Sequence, residues 1–202
     1  MAGGVEQAVT AIRAGKPVLL PTDTVYGLCA DVYRSEPCLE LFRLKGRDVR
    51  QPLALLAADL GMLFECVPEL RGRSGTLARA ILPGPYTLIL PNPARRFRWL
   101  TGSNPDAIGV RVAELPPGAQ AVLDRAGAVA ATSANAHGGP DPHTLDDVPV
   151  EIRSACGAEI DEGELPGLAS TVLDLTGPEP RVLREGAGDV AAALDRVRSV
   201  LA

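Results

Sequence analysis

Apolar residues in this chain fall in short bursts, and the spacing inside each burst assigns an element. Val5, Val9 and Ile12 recur at helical spacing, and Gly15 follows where a helix would stop. Pro17 to Pro21 is a short apolar run of strand type, followed by Thr22-Asp23-Thr24-Val25-Tyr26-Gly27. Ser35 is placed to cap a second helix through Leu39, Phe42 and Leu44, with Gly46 ending it. Leu53 to Ala57 reads as a buried strand, and a helix after Ser74 reaches Leu82, where Pro83-Gly84-Pro85 stops it. Tyr86–Leu90 and Ile108–Val112 read as strands, and a helix near 119–126 leads into the apolar segment Ala128–Ala131. That segment breaks at Ser133-Ala134-Asn135. Thr144 with Asp147 has the form of a capping box for a helix to about Cys156. Two strands, Thr171–Leu175 and Arg181–Leu183, precede a last helix from Asp189.

Strands and helices thus alternate along the chain without repeats, low-complexity tracts or a linker. The expectation is an α/β fold: a single domain over residues 1–202, with a twisted mixed sheet flanked by helices. Strand order is left open by this pattern. The apolar runs stay well short of the ~18 residues that a membrane span needs. The first 16 residues lack the charged, apolar, small-residue order of a secretory signal. Together these give the expectation of a soluble, cytoplasmic protein with no membrane contact.

Composition changes the picture in two places. Residues 34–111 carry 12 Arg/Lys against 7 Asp/Glu, while 114–202 carry 6 against 15. The net charge of −5 argues against a dedicated DNA-binder, whereas a locally cationic first half suits a polyphosphate. Cys29, Cys38, Cys66 and Cys156 are scattered without a C-x-x-C pair and read as reduced, partly buried thiols. His137 and His143 lie in a Gly/Pro-rich loop with only Asp141 and Asp146 nearby, so no metal ligands are assigned.

The familiar nucleotide and hydrolase motifs are missing. Neither G-x-x-x-x-G-K-[ST], G-x-G-x-x-G after a strand, G-x-S-x-G nor H-E-x-x-H occurs. Four other segments can carry chemistry. Hydroxyls, a carboxylate and a phenol cluster in Thr22–Tyr26, at a strand end where α/β sheets present ligands. Lys45-Gly46-Arg47, with Arg50, puts two cations two residues apart, able to converge on one polyanion or to complement a helix terminus. Arg111 sits inside an apolar strand, and a buried guanidinium needs an anion, either an internal carboxylate or a ligand's. Thr132, Ser133 and Asn135 end another apolar strand with hydrogen-bonding side chains, as a plain turn or a phosphate or ribose site.

In their order along the chain these segments resemble the YrdC-type threonylcarbamoyl-AMP synthases. The running order is Pro21–Gly27, then Lys45-x-Arg47, then Pro83–Thr87, then Ile108–Val112, then Thr132–Asn135, then Ser170–Asp174, over about residues 5–188. The resemblance implies a cationic concave cavity that takes ATP with magnesium, L-threonine and bicarbonate. It places Lys45 and Arg47, the catalytic candidates, on the ATP phosphates, with Ser133 and Asn135 on the nucleotide from the opposite wall. Thr24 and Arg111 would bind L-threonine, with Ser170 closing its pocket and Arg184 contacting nucleotide. Gln51, Asp141 and the backbone near Ala107 and Ala131 are expected as lesser contacts, Ala107 toward nucleotide and Ala131 toward threonine.

Two positions depart from many relatives. Ala169 replaces a Glu, and Leu56 stands where some carry His. The chain length resembles the short form, without the extra C-terminal domain of longer relatives. The implied product is an unstable adenylate, so a downstream threonylcarbamoyl transferase complex acting on tRNA is an expected partner. Two alternatives come with the resemblance: a carbamoyl-adenylate-forming domain of hydrogenase-maturation type, and a non-catalytic module with weak RNA binding. Three Phe, three Tyr and one Trp give the latter little to stack on bases.

Overall fold

The computed structural model describes residues 2–201, so Met1 and Ala202, the ends of the expected domain, lie outside the described residues. The helices are α1 (Ala2–Arg13), α2 (Ser35–Lys45), α3 (Leu60–Cys66), α4 (Arg73–Ile81), α5 (Pro117–Ala126), α6 (Val150–Ala155) and α7 (Val190–Leu201). The strands are β1 (Val18–Pro21), β2 (Tyr26–Asp31), β3 (Ala54–Ala57), β4 (Tyr86–Pro91), β5 (Ala107–Arg111), β6 (Ala128–Ser133), β7 (Ala158–Glu159), β8 (Thr171–Asp174) and β9 (Arg181–Arg184). All nine strands form one sheet in the order β7-β1-β2-β6-β3-β5-β4-β8-β9. The pairs β1/β7, β3/β5 and β4/β8 are parallel and the others antiparallel, so the sheet is mixed, as expected.

Most strands read as continuous apolar runs because helices cover both faces over much of the sheet. In β1, Leu19 joins one core cluster, while Val18 and Leu20 join the other. The smaller cluster lies under α1 and α5, through Val9, Ile12, Val122 and Leu123. The larger one takes Leu41 and Phe42 of α2, Leu63 of α3, Leu77 and Ile81 of α4, and Val197 of α7. Strand β9 is the exception, with all four residues exposed at the sheet edge.

Several boundaries differ from the sequence reading. Ser35 is not the cap of α2: it is the first helical residue, and Arg34 holds the cap position without a side-chain bond. The stop is as expected, because Gly46 adopts φ 62, a left-handed conformation open to glycine at no steric cost. Helix α4 starts at Arg73, ahead of Ser74. The Thr144–Asp147 capping box is present but caps a single 3-10 turn, Leu145–Asp147. Pro149 interrupts the backbone before α6 begins. Strand β2, helix α3 and the two-residue β7 were not read from the sequence.

Candidate active site

One stretch of the sheet carries no helix over it, and its exposed face forms the floor of a cavity of about 230 Å³. The floor is small where it must be concave: Ala131, Ala54, Gly109 and Ile89 face one another in register across β6, β3, β5 and β4. Their neighbours Leu55, Val110 and Leu88 are fully buried on the opposite face, as the two-residue strand period requires. Thr87, Val172 and Arg184 extend the floor across β4, β8 and β9. The β1–β2 turn, with Thr22 and Thr24, closes one side, and Arg47 with Pro52 and Leu53 stands on another.

The Lys45–Arg47 end is built from cations held by neutral acceptors. Lys45 Nζ donates to Ser133 O (2.5 Å), Asn135 O (2.6 Å) and Asn135 Oδ1 (2.7 Å). Ser133 Oγ also donates to Asn135 Oδ1, and Asn135 Nδ2 donates to Gly139 O. Lys45 is therefore the anchor of the 133–135 turn. Burial, with help from the Arg47 charge, pulls its pKa down to about 8. Arg47 donates to Gln51 Oε1 (2.8 Å), Thr132 Oγ1 (3.1 Å) and Pro52 O (2.8 Å). Burial and the nearby Arg184 lower its pKa as well. Neither cation has a carboxylate partner within salt-bridge distance among the described residues, so both keep a positive field directed at the turn and the cavity.

The Arg111 end is built the other way. The anion that a buried arginine needs is Asp23: Arg111 Nη2 donates to Asp23 Oδ1 at 2.7 Å and to Thr24 Oγ1 at 3.3 Å. Burial lowers the Arg111 pKa and raises that of Asp23, each partly offset by the partner's charge. Ser170 sits nearby on the floor, its Oγ 2.8 Å from Thr87 Oγ1. Arg184 reaches in from the edge strand and donates to Ser170 O and Ser170 Oγ (2.8 and 3.1 Å). The 160–169 segment crosses this end as a strap. Tyr26 Oη donates to Gly163 O, and Gly167 N donates to Thr24 O. Gly167 is at φ 76 and lies so close to the His143 ring that a side chain there would collide with it.

Most residues singled out in the sequence therefore converge. Thr24, Arg47, Arg111, Ala131, Ser133, Ser170 and Arg184 line the cavity, and Lys45, Asn135 and Gln51 hold lining residues in place. Asp141 is close enough to Lys45 for its charge to be felt there. Ala107 does not reach the lining; it starts β5 two residues before Gly109. Leu56 is fully buried and is not itself lining, although it pairs in register with Arg111, whereas Ala169 is part of the lining. Sequence reasoning missed Asp23 as the partner of Arg111 and Thr87 as a lining hydroxyl, whereas Thr22 and Thr132, flagged within their segments, do line the cavity. No group of three or more His, Cys, Asp or Glu among the described residues is arranged to hold a metal ion. No helix among them is long and apolar enough to cross a membrane.

The Sua5/YciO/YrdC family model, described as "Telomere recombination", matches residues 10–186. The chain belongs to the Sua5/YciO/YrdC family. A family member from Mycobacterium tuberculosis is 33% identical over 201 residues, covering 98% of this chain and 89% of that one. The threonylcarbamoyl-AMP synthase of Halorhodospira halophila is 34% identical, covering 81% and 85%. Among solved structures, Pyrococcus abyssi Sua5 complexed with L-threonine superposes with a TM-score of 0.84 at 33% identity. That match covers 97% of this chain but 56% of the Sua5 chain, so this chain spans little more than half of that family member.

Proposed function

We propose that this chain joins L-threonine, bicarbonate and ATP into threonylcarbamoyl-AMP, with release of pyrophosphate. The observation that carries the proposal is the pairing of two unlike ends in one cavity. Unneutralised cations at Arg47 and Arg184 suit a polyphosphate, and a buried arginine flanked by hydroxyls suits an amino-acid carboxylate. The curated relative from Halorhodospira halophila bears the name of this activity, and the Pyrococcus abyssi protein binds L-threonine.

In this reading the threonine amine bonds to the carbon of bicarbonate-derived carbon dioxide, losing a proton and forming N-carboxy-threonine. The new carboxylate attacks the α-phosphorus of ATP, and the bond to the leaving pyrophosphate breaks. Arg47 and Arg184 stabilise charge on the phosphate oxygens, and Lys45 acts on the same charge through the 133–135 turn it anchors. Arg111 and Thr24 hold the threonine carboxylate while Ser170 closes the pocket, so positioning supplies much of the rate. Magnesium enters with ATP as the substrate salt. Such a cation keeps several waters and leans on phosphate oxygens, which is compatible with a site that offers few carboxylates. The adenylate passes to a threonylcarbamoyl transferase complex acting on tRNA.

The deciding experiment measures pyrophosphate release with L-threonine and bicarbonate omitted in turn. Release that requires both supports the proposal. Release without threonine would assign another acceptor, and no release would remove the enzymatic reading.

A further inference from the structure

We infer that Asp23 is a positioning residue for the amino-acid substrate: it grips one amino group of Arg111 from behind and leaves the other aimed into the cavity. The inference rests on the threonine reading of the site and adds a residue to it.

Three observations carry it. Thr22 and Thr24 line the cavity and Asp23 does not, so its carboxylate meets Arg111 from the side away from the ligand. Among the described residues the guanidinium is held through Nη2 alone, shared between Asp23 Oδ1 and Thr24 Oγ1. Arg111 Nε and Asp23 Oδ2 are both buried without a hydrogen-bond partner among the described residues. A pair serving stability alone would close both bonds of the carboxylate–guanidinium fork, since a buried polar atom left unpaired is destabilising. Here the fork is left half-made and the guanidinium is turned toward Thr24. The remaining amino group, Nη1, has no protein partner among the described residues and is the one free for a substrate carboxylate. Asp23 also leaves the buried cation neutralised before substrate arrives, so Arg111 can be kept inside the fold in one orientation.

The test is steady-state pyrophosphate release by the full chain carrying Asp23→Asn, Arg111→Lys, or both. Asp23→Asn is expected to raise the threonine KM about tenfold, with far smaller changes in kcat and in the ATP KM. Because Asp23 acts only through Arg111, adding Asp23→Asn to Arg111→Lys is expected to raise the threonine KM no further. Losses that multiply in the double variant would overturn the inference, as would an unchanged threonine KM in Asp23→Asn. Equal changes in kcat and both KM values would also overturn it, by showing general damage. If Asp23→Asn does not fold, Asp23→Glu keeps the charge and moves the carboxylate by one methylene. The same selective rise is then expected, and an unchanged threonine KM overturns the inference. Should Arg111→Lys itself leave the threonine KM unmoved, the threonine reading of the site fails and the role of Asp23 falls with it. A response to Arg111→Lys but not to Asp23→Asn sinks the role of Asp23 alone.

Discussion

The two ends of the cavity solve the burial of a cation in opposite ways. At the Lys45–Arg47 end every acceptor is neutral: carbonyls of Ser133, Asn135 and Pro52, the Asn135 and Gln51 amides, and the Thr132 hydroxyl. At the Arg111 end the main acceptor is a carboxylate. Neutral acceptors orient a charge and leave its field intact, whereas a carboxylate cancels most of it. The first arrangement draws a polyanion. The second suits a molecule that carries both signs, as a free amino acid does, because little net charge is then buried. Selectivity between the two substrates thus follows from the bonding partners of the arginines as much as from the arginines themselves.

The largest test of this contrast is Arg111→Met. It removes the carboxylate contact and strands Asp23, so threonine-dependent kcat/KM is expected to fall at least about 100-fold, with a fold destabilisation of about 3–5 kcal/mol. Urea denaturation alongside kinetics separates the two effects. Arg47→Ala strands no anion, so its expected outcome is the reverse: the ATP KM rises about tenfold while stability and the threonine KM move little. An equal effect on both substrates would show that the two ends are not independent.

A smaller effect should appear with pH. Lys45, with its pKa lowered to about 8, loses its proton above that value, and kcat/KM for ATP is expected to fall there. The sign for stability is the opposite. A lysine whose folded pKa lies below its unfolded value near 10.5 binds fewer protons when folded, so folding is favoured as pH rises from about 8 to 10.5. Activity and stability that fall together across this range would remove Lys45 as the group responsible. The smallest expected effect is ionic: raising salt from low to physiological strength should weaken ATP more than threonine, because Arg47 and Arg184, unlike Arg111, have no carboxylate partner among the described residues.

How much of this was legible in the sequence depends on the range of each interaction. The apolar runs of β1, β3, β4, β5 and β6 and the Gly46 stop are local, and they read correctly. Strand β2 was hidden because its Gly27 and Asp31 break the expected apolar pattern. Helix α3 was hidden by its length, although Asp59, whose side chain accepts from Met62 N, was a readable cap signal. In the site, Arg111 announced that it needed an anion, but its partner lies 88 residues away. The acceptors of Lys45 are mostly backbone carbonyls, which composition cannot display. The small residues of the floor, Ala54, Gly109 and Ala131, gain meaning only once the register aligns them.

Strand β9 gives the site an uneven durability. Its residues are exposed, it pairs on one side only, and its pairing to β8 slips between Val172 and Leu173. Amide hydrogens of such an edge exchange with solvent through local openings that leave the interior folded. Arg184 belongs to that edge yet grips Ser170 on the cavity floor. One wall of the cavity can therefore detach and reseat within the lifetime of a single folded molecule, while β3, β5 and β6 stay closed. Substrate bound across Ser170 and Arg184 would slow exchange in β9 first, which makes that strand a local reporter of occupancy.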